Sequence, residues 1–106
     1  MNAPARFDLE ARLSDPGLLR TDSYINGEWS AGESRFPVLN PADRSLIAEV
    51  ADVGEAGARK AVAAAAAALK TWRKTNVFER ARLIQKWNDL ILEHAADLGA
   101  LITAEM

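Results

Sequence analysis

The sequence predicts an α/β chain in which a β-hairpin and a few short strands come first and two to three amphipathic helices follow. Two observations support this prediction. Asn26-Gly27 stands between short apolar runs, and both central residues of a type I′ hairpin turn need the positive φ that Asn tolerates and Gly accepts freely. An Ala-rich stretch with helical spacing of its larger apolar residues begins after residue 54.

The composition is that of a small globular protein. The chain has 106 residues, 49% hydrophobic and 26% charged, which lies outside the range of disordered sequences. A chain of this size buries only about 60 to 70% of the surface that it exposes when unfolded. We therefore expect at most one small domain, stable where both its strands and its helices find partners.

Composition also argues against several classes of protein. The longest apolar run, 61–69, is mostly Ala and falls short of the roughly 20 residues that span a membrane, so we expect no membrane partner. Residues 1–22 mix four acidic residues with three Arg and lack the apolar stretch of a secretory signal, which favours a cytoplasmic location. With no Cys and only His94, we predict no disulfide, no thiolate nucleophile and no metal site.

Basic residues concentrate between positions 59 and 86, where eight Lys and Arg residues accompany a single Glu. A nucleic-acid interface would favour such charge on one face, with aromatic platforms or a known binding motif. Here the basic residues are scattered around the predicted helices and no such motif occurs. We predict a solvated surface and no nucleic-acid partner.

The first half of the chain predicts a lead-in followed by short strands. Residues 1–22 predict an irregular lead-in that is ordered only by docking, with Leu18-Leu19 as its apolar anchor. Strands are predicted at 24–25, 28–29, 35–39 and 46–53. The last strand alternates imperfectly between apolar and polar residues, so we predict that it is half buried.

The first helix is predicted to run from Gly54 or Glu55 to about Lys74. Its apolar residues form one continuous stripe, with spacings of four, three, four and three that suit packing against a neighbour. They are Ala58, Val62, Ala65, Leu69 and Trp72. Gly57 opposes this helix, because Gly costs about 1 kcal/mol relative to Ala in a helix.

The second helix is predicted to begin at Asn76, whose spacing to Glu79 is that of the N-cap and N3 residues of a capping box. A break at His94 separates it from a third amphipathic helix. The two stripes comprise Leu83, Trp87, Leu90 and Ile91, and then Leu98, Leu101 and Ile102. No helix-ending signal precedes Met106, and no sheet of matching size covers the stripes, so we expect the sequence to be incomplete as given.

Four candidates for a functional site each have a structural alternative. His94 is a potential acid-base residue, but its place at a helix end favours interaction with the helix dipole. Glu79 is a potential base that the capping box already explains, and Asn40-Pro41 suits a turn as well as a ligand loop. The aromatic residues Trp29, Trp72 and Trp87 are interpreted as core anchors rather than stacking platforms.

Several short motifs follow one another along nearly the whole chain. They are Leu13-Ser14-Asp15-Pro16, Tyr24-Ile25-Asn26-Gly27-Glu28-Trp29, Asn40-Pro41-Ala42, Ala61-Val62 with Ala64-Ala65, Trp72-Arg73 and Glu79-Arg80-Ala81. This order resembles the N-terminal part of the aldehyde dehydrogenases. Gly57 departs from that pattern, where an acidic residue is usual, and so does Lys70, where a Pro is often found.

Three further motifs indicate a branch of that family. They are Leu18-Leu19-Arg20, Trp87-Asn88-Asp89-Leu90 and Glu93-His94-Ala95-Ala96-Asp97-Leu98. These are most similar to the bacterial NAD(P)-dependent succinate-semialdehyde dehydrogenases. The resemblance implies an N-terminal fragment of the cofactor-binding, Rossmann-like domain, divided into a lead-in (1–22), hairpin and strands (23–53) and helices (54–106).

The resemblance also implies a parent enzyme in which a Cys thiolate attacks the aldehyde, hydride passes to NAD or NADP, and a Glu-activated water releases the acid. None of that machinery matches a position in this chain. We therefore predict no catalytic, cofactor-binding or metal-ligating residue within 1–106, and no activity of the chain alone. The expected partner is the rest of the same dehydrogenase chain, within a homo-oligomer.

Two alternatives stay open at this point. The parent enzyme could act on another aldehyde or semialdehyde. The chain could instead be a stand-alone helical module whose apolar stripes bind a partner protein.

Overall fold

The computed structural model describes residues 5–106, so the first four residues of the predicted lead-in lie outside it. The lead-in holds two single 3₁₀ turns, Glu10–Arg12 and Pro16–Leu18. The strands are β1 (Ser23–Ile25), β2 (Glu28–Ser30), β3 (Ser34–Leu39) and β4 (Leu46–Asp52). The helices are α1 (Gly54–Trp72), α2 (Val77–Glu93) and α3 (Ala95–Glu105). Short strands followed by three helices confirm the α/β prediction.

The first hairpin pairs β1 with β2 in antiparallel register, with Tyr24 opposite Trp29. Its turn residues Asn26 and Gly27 have φ values of 52° and 77°. Both lie in the left-handed region that a type I′ turn requires, which confirms the hairpin predicted from the Asn-Gly pair.

A second antiparallel pair, β3 with β4, forms a separate two-stranded sheet. The register places Ser34 opposite Asp52, and a bulge interrupts it between Val38 and Leu39. On β4 Ile47 is buried while Glu49 is exposed, so the strand is half buried as predicted.

The helix boundaries follow local hydrogen bonding. Asn76 caps α2, because its side-chain oxygen accepts the N–H of Phe78 at 2.8 Å. The other half of the predicted capping box is wrong, since the Glu79 carboxylate binds Arg82 instead of reaching back to Asn76. The break predicted at His94 is confirmed, because this residue ends α2 and precedes α3 with a φ of −104°.

The core lies where the lead-in crosses β4 and α3. Within the described residues the buried apolar side chains are Leu9, Leu13, Ile47 and Ala104. The lead-in supplies the first two, so it is docked on the core. Leu19 from the predicted apolar anchor packs against this core and is half buried.

The larger residues of the predicted α1 stripe do not face the hairpin. Val62 and Leu69 are 70% and 55% exposed, whereas the small residues Gly57, Ala61 and Ala64 are half buried on another face of the helix. A face of Gly and Ala lets another part of the chain lie close to the helix backbone, which larger side chains would prevent. Val62 and Leu69 of the stripe stay largely exposed within the described residues.

The interpretation of the three Trp residues as core anchors is wrong for this chain. Trp29, Trp72 and Trp87 are 46%, 40% and 65% exposed. The spacing of Trp72 and Trp87 placed them correctly on apolar helix faces, but the elements that such faces would pack against are not among the described residues.

Gly57 has a structural role that its helix propensity does not reveal. A Cβ added at Gly57 would lie 2.3 Å from Cβ of Val53, far inside van der Waals contact. The absence of a side chain at Gly57 therefore gives Val53 room against the first turn of α1. We correct the expectation that this Gly only weakens the start of the helix.

The chain exposes much more surface than a globular protein of its size. Its accessible surface is 8405 Å², whereas a folded protein of this mass exposes about 5800 Å². The radius of gyration is 17.2 Å, compared with about 13 Å for a compact domain of 100 residues. No helix in the described part of the chain has the length and apolar composition of a membrane span.

Candidate functional site

A groove of about 1020 Å³ separates the β1–β2 hairpin from the start of α1. Trp29 lies on its hairpin side, in a tilted contact with Tyr24 whose ring centroid is 4.9 Å away, and the Arg20 guanidinium lies over its ring at 4.8 Å. The backbone of Gly54 and Gly57 lies on the helix side.

The chemical content of this groove does not support catalysis. Among the described residues that line it, the charged side chains are Glu28, Glu33, Glu55 and Lys60, and there is no His or Cys. The Glu55 carboxylate already accepts hydrogen bonds from Arg59, one turn along α1, at 2.9 and 2.7 Å. A nucleophilic or acid-base mechanism needs a reactive group with a positioned partner, and the lining residues provide no such pair.

His94 lies at the junction of α2 and α3 and is half buried. Its N–H donates to the carbonyl of Leu90, and its own carbonyl accepts the N–H of Leu98, so its backbone joins the two helices. It does not line the groove. The structure thus places His94 in a helix junction, apart from the other residues considered as candidates.

Glu79 is exposed on the first turn of α2, where it forms a two-pronged ion pair with Arg82. The Arg82 Nε and Nη2 atoms lie 3.0 and 2.7 Å from the two carboxylate oxygens. These hydrogen bonds lower the pKa of Glu79 below its ordinary value of 4.5 and raise that of Arg82. A general base active near neutrality needs the opposite shift, so Glu79 is unsuited to that role.

Asn40 belongs to a loop that satisfies its own hydrogen bonds. The Asn40 side chain accepts the N–H of Ala42 at 2.9 Å, and its backbone exchanges hydrogen bonds with Arg44 and Ser45. Asp43 accepts both the N–H and the hydroxyl of Ser45, which lowers the pKa of Asp43. The structural reading of Asn40-Pro41, a turn that stops one strand and orients the next, accounts for this geometry.

The described residues contain no group of three His, Asp or Glu side chains that could hold a metal ion. The candidates predicted from sequence lie on different elements: His94 between α2 and α3, Glu79 on α2 and Asn40 after β3. The part of the chain that the structure describes does not bring them into a common cavity.

The most distinctive surface is apolar and lies on α2. Leu83, Trp87, Leu90 and Ile91 form the predicted stripe, and each is at least 40% exposed. Leu92, two positions from Leu90, is 67% exposed and points away from the stripe. On an amphipathic helix, an apolar stripe of this kind normally packs against a neighbouring element.

Sequence reasoning missed two buried polar residues, Ser45 and Asp97, of which Asp97 makes the longer-range contact. Asp97 lies on the first turn of α3 and is 6% exposed. Its two carboxylate oxygens accept the N–H groups of Ser14 and Asp15, each at 2.9 Å. These bonds lower the pKa of Asp97 below its ordinary value. An Asp in the first turn of a helix suits the helix dipole, so the sequence held no signal of a partner more than 80 residues away.

Comparison with known proteins shows which family shares these features. The sequence profile of the aldehyde dehydrogenase family matches residues 29–106. The mouse mitochondrial succinate-semialdehyde dehydrogenase is 40% identical over 107 residues, which cover 96% of this chain and 20% of that protein. The 3-sulfolactaldehyde dehydrogenase of Pseudomonas putida is 42% identical over 95 residues, 88% of this chain and 20% of that protein.

Solved structures agree with the sequence matches. An aldehyde dehydrogenase from Brucella melitensis biovar abortus 2308 superposes with a TM-score of 0.83 at 36% identity. The match covers 87% of this chain and 20% of that structure. The chain thus spans about a fifth of the length of the relatives it matches. On the family profile, the sequence identity and the shared fold, the chain belongs to the aldehyde dehydrogenase family.

Proposed function

We propose that this chain is the N-terminal segment of an NAD(P)-dependent aldehyde dehydrogenase that oxidises succinate semialdehyde to succinate. The observation that carries the proposal is the 40% identity to the mouse succinate-semialdehyde dehydrogenase along 96% of the chain. The human mitochondrial succinate-semialdehyde dehydrogenase, 43% identical over 88 residues, supports the same substrate.

The substrate class is broader than one compound. The relative from Pseudomonas putida is named for 3-sulfolactaldehyde and has 42% identity. Succinate semialdehyde and 3-sulfolactaldehyde are both short aldehydes with an acidic group at the far end, a carboxylate in one and a sulfonate in the other. We propose a short aldehyde with a terminal anion as the substrate class, with succinate semialdehyde as its first member. An aldehyde dehydrogenase with another substrate is the alternative.

Within such an enzyme we propose a scaffolding role for this segment, as part of the cofactor-binding domain. The proposed parts are the lead-in (1–22), the hairpin and strands (23–53) and the helices (54–106). The exposed stripe of α2 and the surface excess over a compact protein support a segment that packs against more of the same polypeptide. Seven of the eight basic residues between 59 and 86 are exposed and would then border the packed faces in solvent, while Arg80 is half buried.

The chemistry would belong to other parts of the polypeptide. Formation of a thiohemiacetal needs a Cys thiolate, and this chain has no Cys. NAD or NADP is the proposed cofactor of the complete enzyme, with no residue of this segment in direct contact. We further propose a homo-oligomer without nucleic-acid or membrane partners.

A cytoplasmic location is proposed on the composition of residues 1–22, where acidic residues accompany the Arg residues. The mouse and human relatives are named as mitochondrial enzymes. Cell fractionation followed by detection with a specific antibody therefore tests the cytoplasmic location.

The test of function uses the polypeptide expressed from its intact reading frame. We expect NAD(P)-dependent oxidation of succinate semialdehyde, with a higher kcat/KM than for butanal, which has the same chain length but no terminal anion. The 106-residue chain alone is the matched control and should produce no reduced nicotinamide. Equal kcat/KM for the two aldehydes would contradict the substrate class, and turnover by the 106-residue chain would contradict the scaffolding role.

A stand-alone interaction module is the second candidate, favoured by the exposure of Phe78 (82%) and Trp87 (65%) on α2. If the intact reading frame encodes no more than this chain, and the purified protein has no aldehyde dehydrogenase activity, the module is supported over the enzyme segment.

A further inference from the structure

The lead-in has no regular structure of its own beyond two 3₁₀ turns, yet it holds separate elements together. We call residues 5–19 the strap. Its first residues pair with the start of β4, where Leu46 donates its N–H to the carbonyl of Ala5 at 2.7 Å and accepts the N–H of Phe7 at 2.8 Å. Arg6 and Leu46 form a parallel bridge at this point. One end of the strap is thus attached to the strands.

The middle of the strap contributes the most buried side chain of the described core. Leu9 is 2% exposed and Leu13 is 7% exposed, and both pack with Ile47 of β4 and Ala104 of α3. Because these Leu residues lie in the same cluster as side chains from both elements, the strap takes part in the contact between β4 and α3. Loss of the strap would expose apolar surface on both.

The far end of the strap is held by Asp97 of α3. The carboxylate accepts two consecutive backbone N–H groups, from Ser14 and Asp15, with one oxygen for each at 2.9 Å. Hydrogen bonds to an ionised acceptor are stronger than those between neutral groups, and Asp97 is buried. The carboxylate of Asp15 accepts the N–H of Gly17 at 3.0 Å, and this hydrogen bond closes the local turn beside the contact.

Asp97 serves the strap instead of its own helix. An acidic side chain in the first turn of a helix can accept that helix's free N–H groups, but the hydrogen bonds found for the Asp97 oxygens come from Ser14 and Asp15, and α3 has no side-chain cap. Every residue except Pro has a backbone N–H, so this contact does not depend on the side chains at positions 14 and 15. It depends on the course of the strap backbone past Asp97.

We propose that Asp97 is a latch: it holds the strap against α3 by binding the N–H groups of Ser14 and Asp15, and its loss lets residues 9–19 open as a unit while the β1–β2 hairpin and α2 stay folded. The proposal does not depend on which aldehyde the complete protein oxidises. Asp97 is a positioning residue, since it acts through the backbone of the strap.

The test is hydrogen exchange followed by mass spectrometry on the polypeptide expressed from its intact reading frame. Asp97→Asn keeps the shape of the side chain but leaves a single acceptor oxygen, so it separates hydrogen bonding from packing. Asp97→Ala removes both acceptors. Asp89→Asn is the matched control, because Asp89 is an exposed Asp on α2 that accepts only a side-chain hydrogen bond, from Gln85 at 3.0 Å.

We expect peptides from residues 9–19 to exchange about tenfold faster in Asp97→Asn than in Asp89→Asn, and faster still in Asp97→Ala, because the N–H groups of Ser14 and Asp15 lose a charged acceptor. Peptides from the hairpin and from α2 should keep their wild-type rates. Wild-type exchange of the strap in Asp97→Asn would overturn the proposal. So would a uniform rise across hairpin, strap and α2, or a variant that does not fold, because either would assign Asp97 to the whole fold.

Discussion

Gly57 and Val53 share one space at the start of α1, because a Cβ on Gly57 would lie 2.3 Å from Cβ of Val53 and 2.5 Å from its Cγ2. Val53 is the residue before the helix, and the N–H of Gly57 donates to its carbonyl at 2.9 Å. The two residues therefore close the first turn together, and only Gly fits at position 57 without displacing Val53.

This contact reverses the usual effect of a Gly-to-Ala change in a helix. We expect Gly57→Ala to destabilise the protein by about 1 to 3 kcal/mol through overpacking, although Ala has the better helix propensity. Gly99→Ala in α3 is the matched control, because a Cβ there meets no atom within 4 Å and should stabilise by up to about 1 kcal/mol. Urea unfolding of the two variants measures the difference, and a stabilised Gly57→Ala would contradict the assigned contact.

A second glycine, Gly32, is required for two reasons. Its φ of 69° is left-handed, and an added Cβ would lie 2.6 Å from the carbonyl oxygen of Asp52 at the end of β4. Gly27 has a similar φ of 77° but open space around it. Gly27→Ala should therefore cost about 1 to 2 kcal/mol from backbone strain alone, and Gly32→Ala should cost more. Equal unfolding midpoints for the two variants would exclude the clash with Asp52.

The latch at Asp97 predicts a dependence on pH. The N–H groups of Ser14 and Asp15 lower the pKa of Asp97 below its ordinary value of 3.8, while burial acts in the opposite direction. The folded pKa lies below the unfolded one, so the stabilisation is fully present above about pH 3.8. It is lost as the pH falls from there through the folded pKa, because the unfolded chain takes up the proton first.

The measurement is an NMR titration of the Asp97 carboxyl carbon together with the stability of the wild type and of Asp97→Asn. The carboxyl titration should have its midpoint below 3.8, and the stability difference between the two proteins should shrink over the same interval. A midpoint at or above 3.8 would show that the two hydrogen bonds do not favour the charged form.

Two interactions at the start of α2, the Asn76 cap and the Glu79–Arg82 ion pair, should contribute unequally to stability. Asn76→Ala removes the side chain that accepts the N–H of Phe78, and should cost about 1 kcal/mol. Glu79→Gln breaks an exposed ion pair with Arg82, which solvent screens, so we expect little change. Hydrogen exchange in residues 77–81 distinguishes the two variants, because only the loss of the cap should speed exchange there. A larger cost from Glu79→Gln than from Asn76→Ala would contradict the assignment of Glu79 to a screened surface ion pair.

Local signals were sufficient for most element boundaries. The hairpin turn at Asn26-Gly27, the cap at Asn76 and the break at His94 were all predictable. Each depends on dihedral preferences and hydrogen bonds within a few residues, which short stretches of sequence contain. The predicted capping-box role of Glu79 was wrong, because Arg82, three residues further along the helix, binds its carboxylate instead.

The candidate site was predictable only in part. The motifs that resemble the aldehyde dehydrogenases led to the family that the comparisons show. The exposure of Trp87 was not predictable, because a helical stripe states which side chains share a face and not whether a neighbour covers it.

The sequence by itself thus determined the order of strands and helices, the turn and cap residues, and the family, since each depends on residues close together or on a pattern along the chain. Only the tertiary structure decided that Asp97 binds the backbone at Ser14 and that Gly57 makes room for Val53. The physical reason is that the partner of a buried carboxylate, and the need for Gly at a position, depend on atoms that the fold brings within a few ångströms. Helix spacing and propensity carry no information about those atoms.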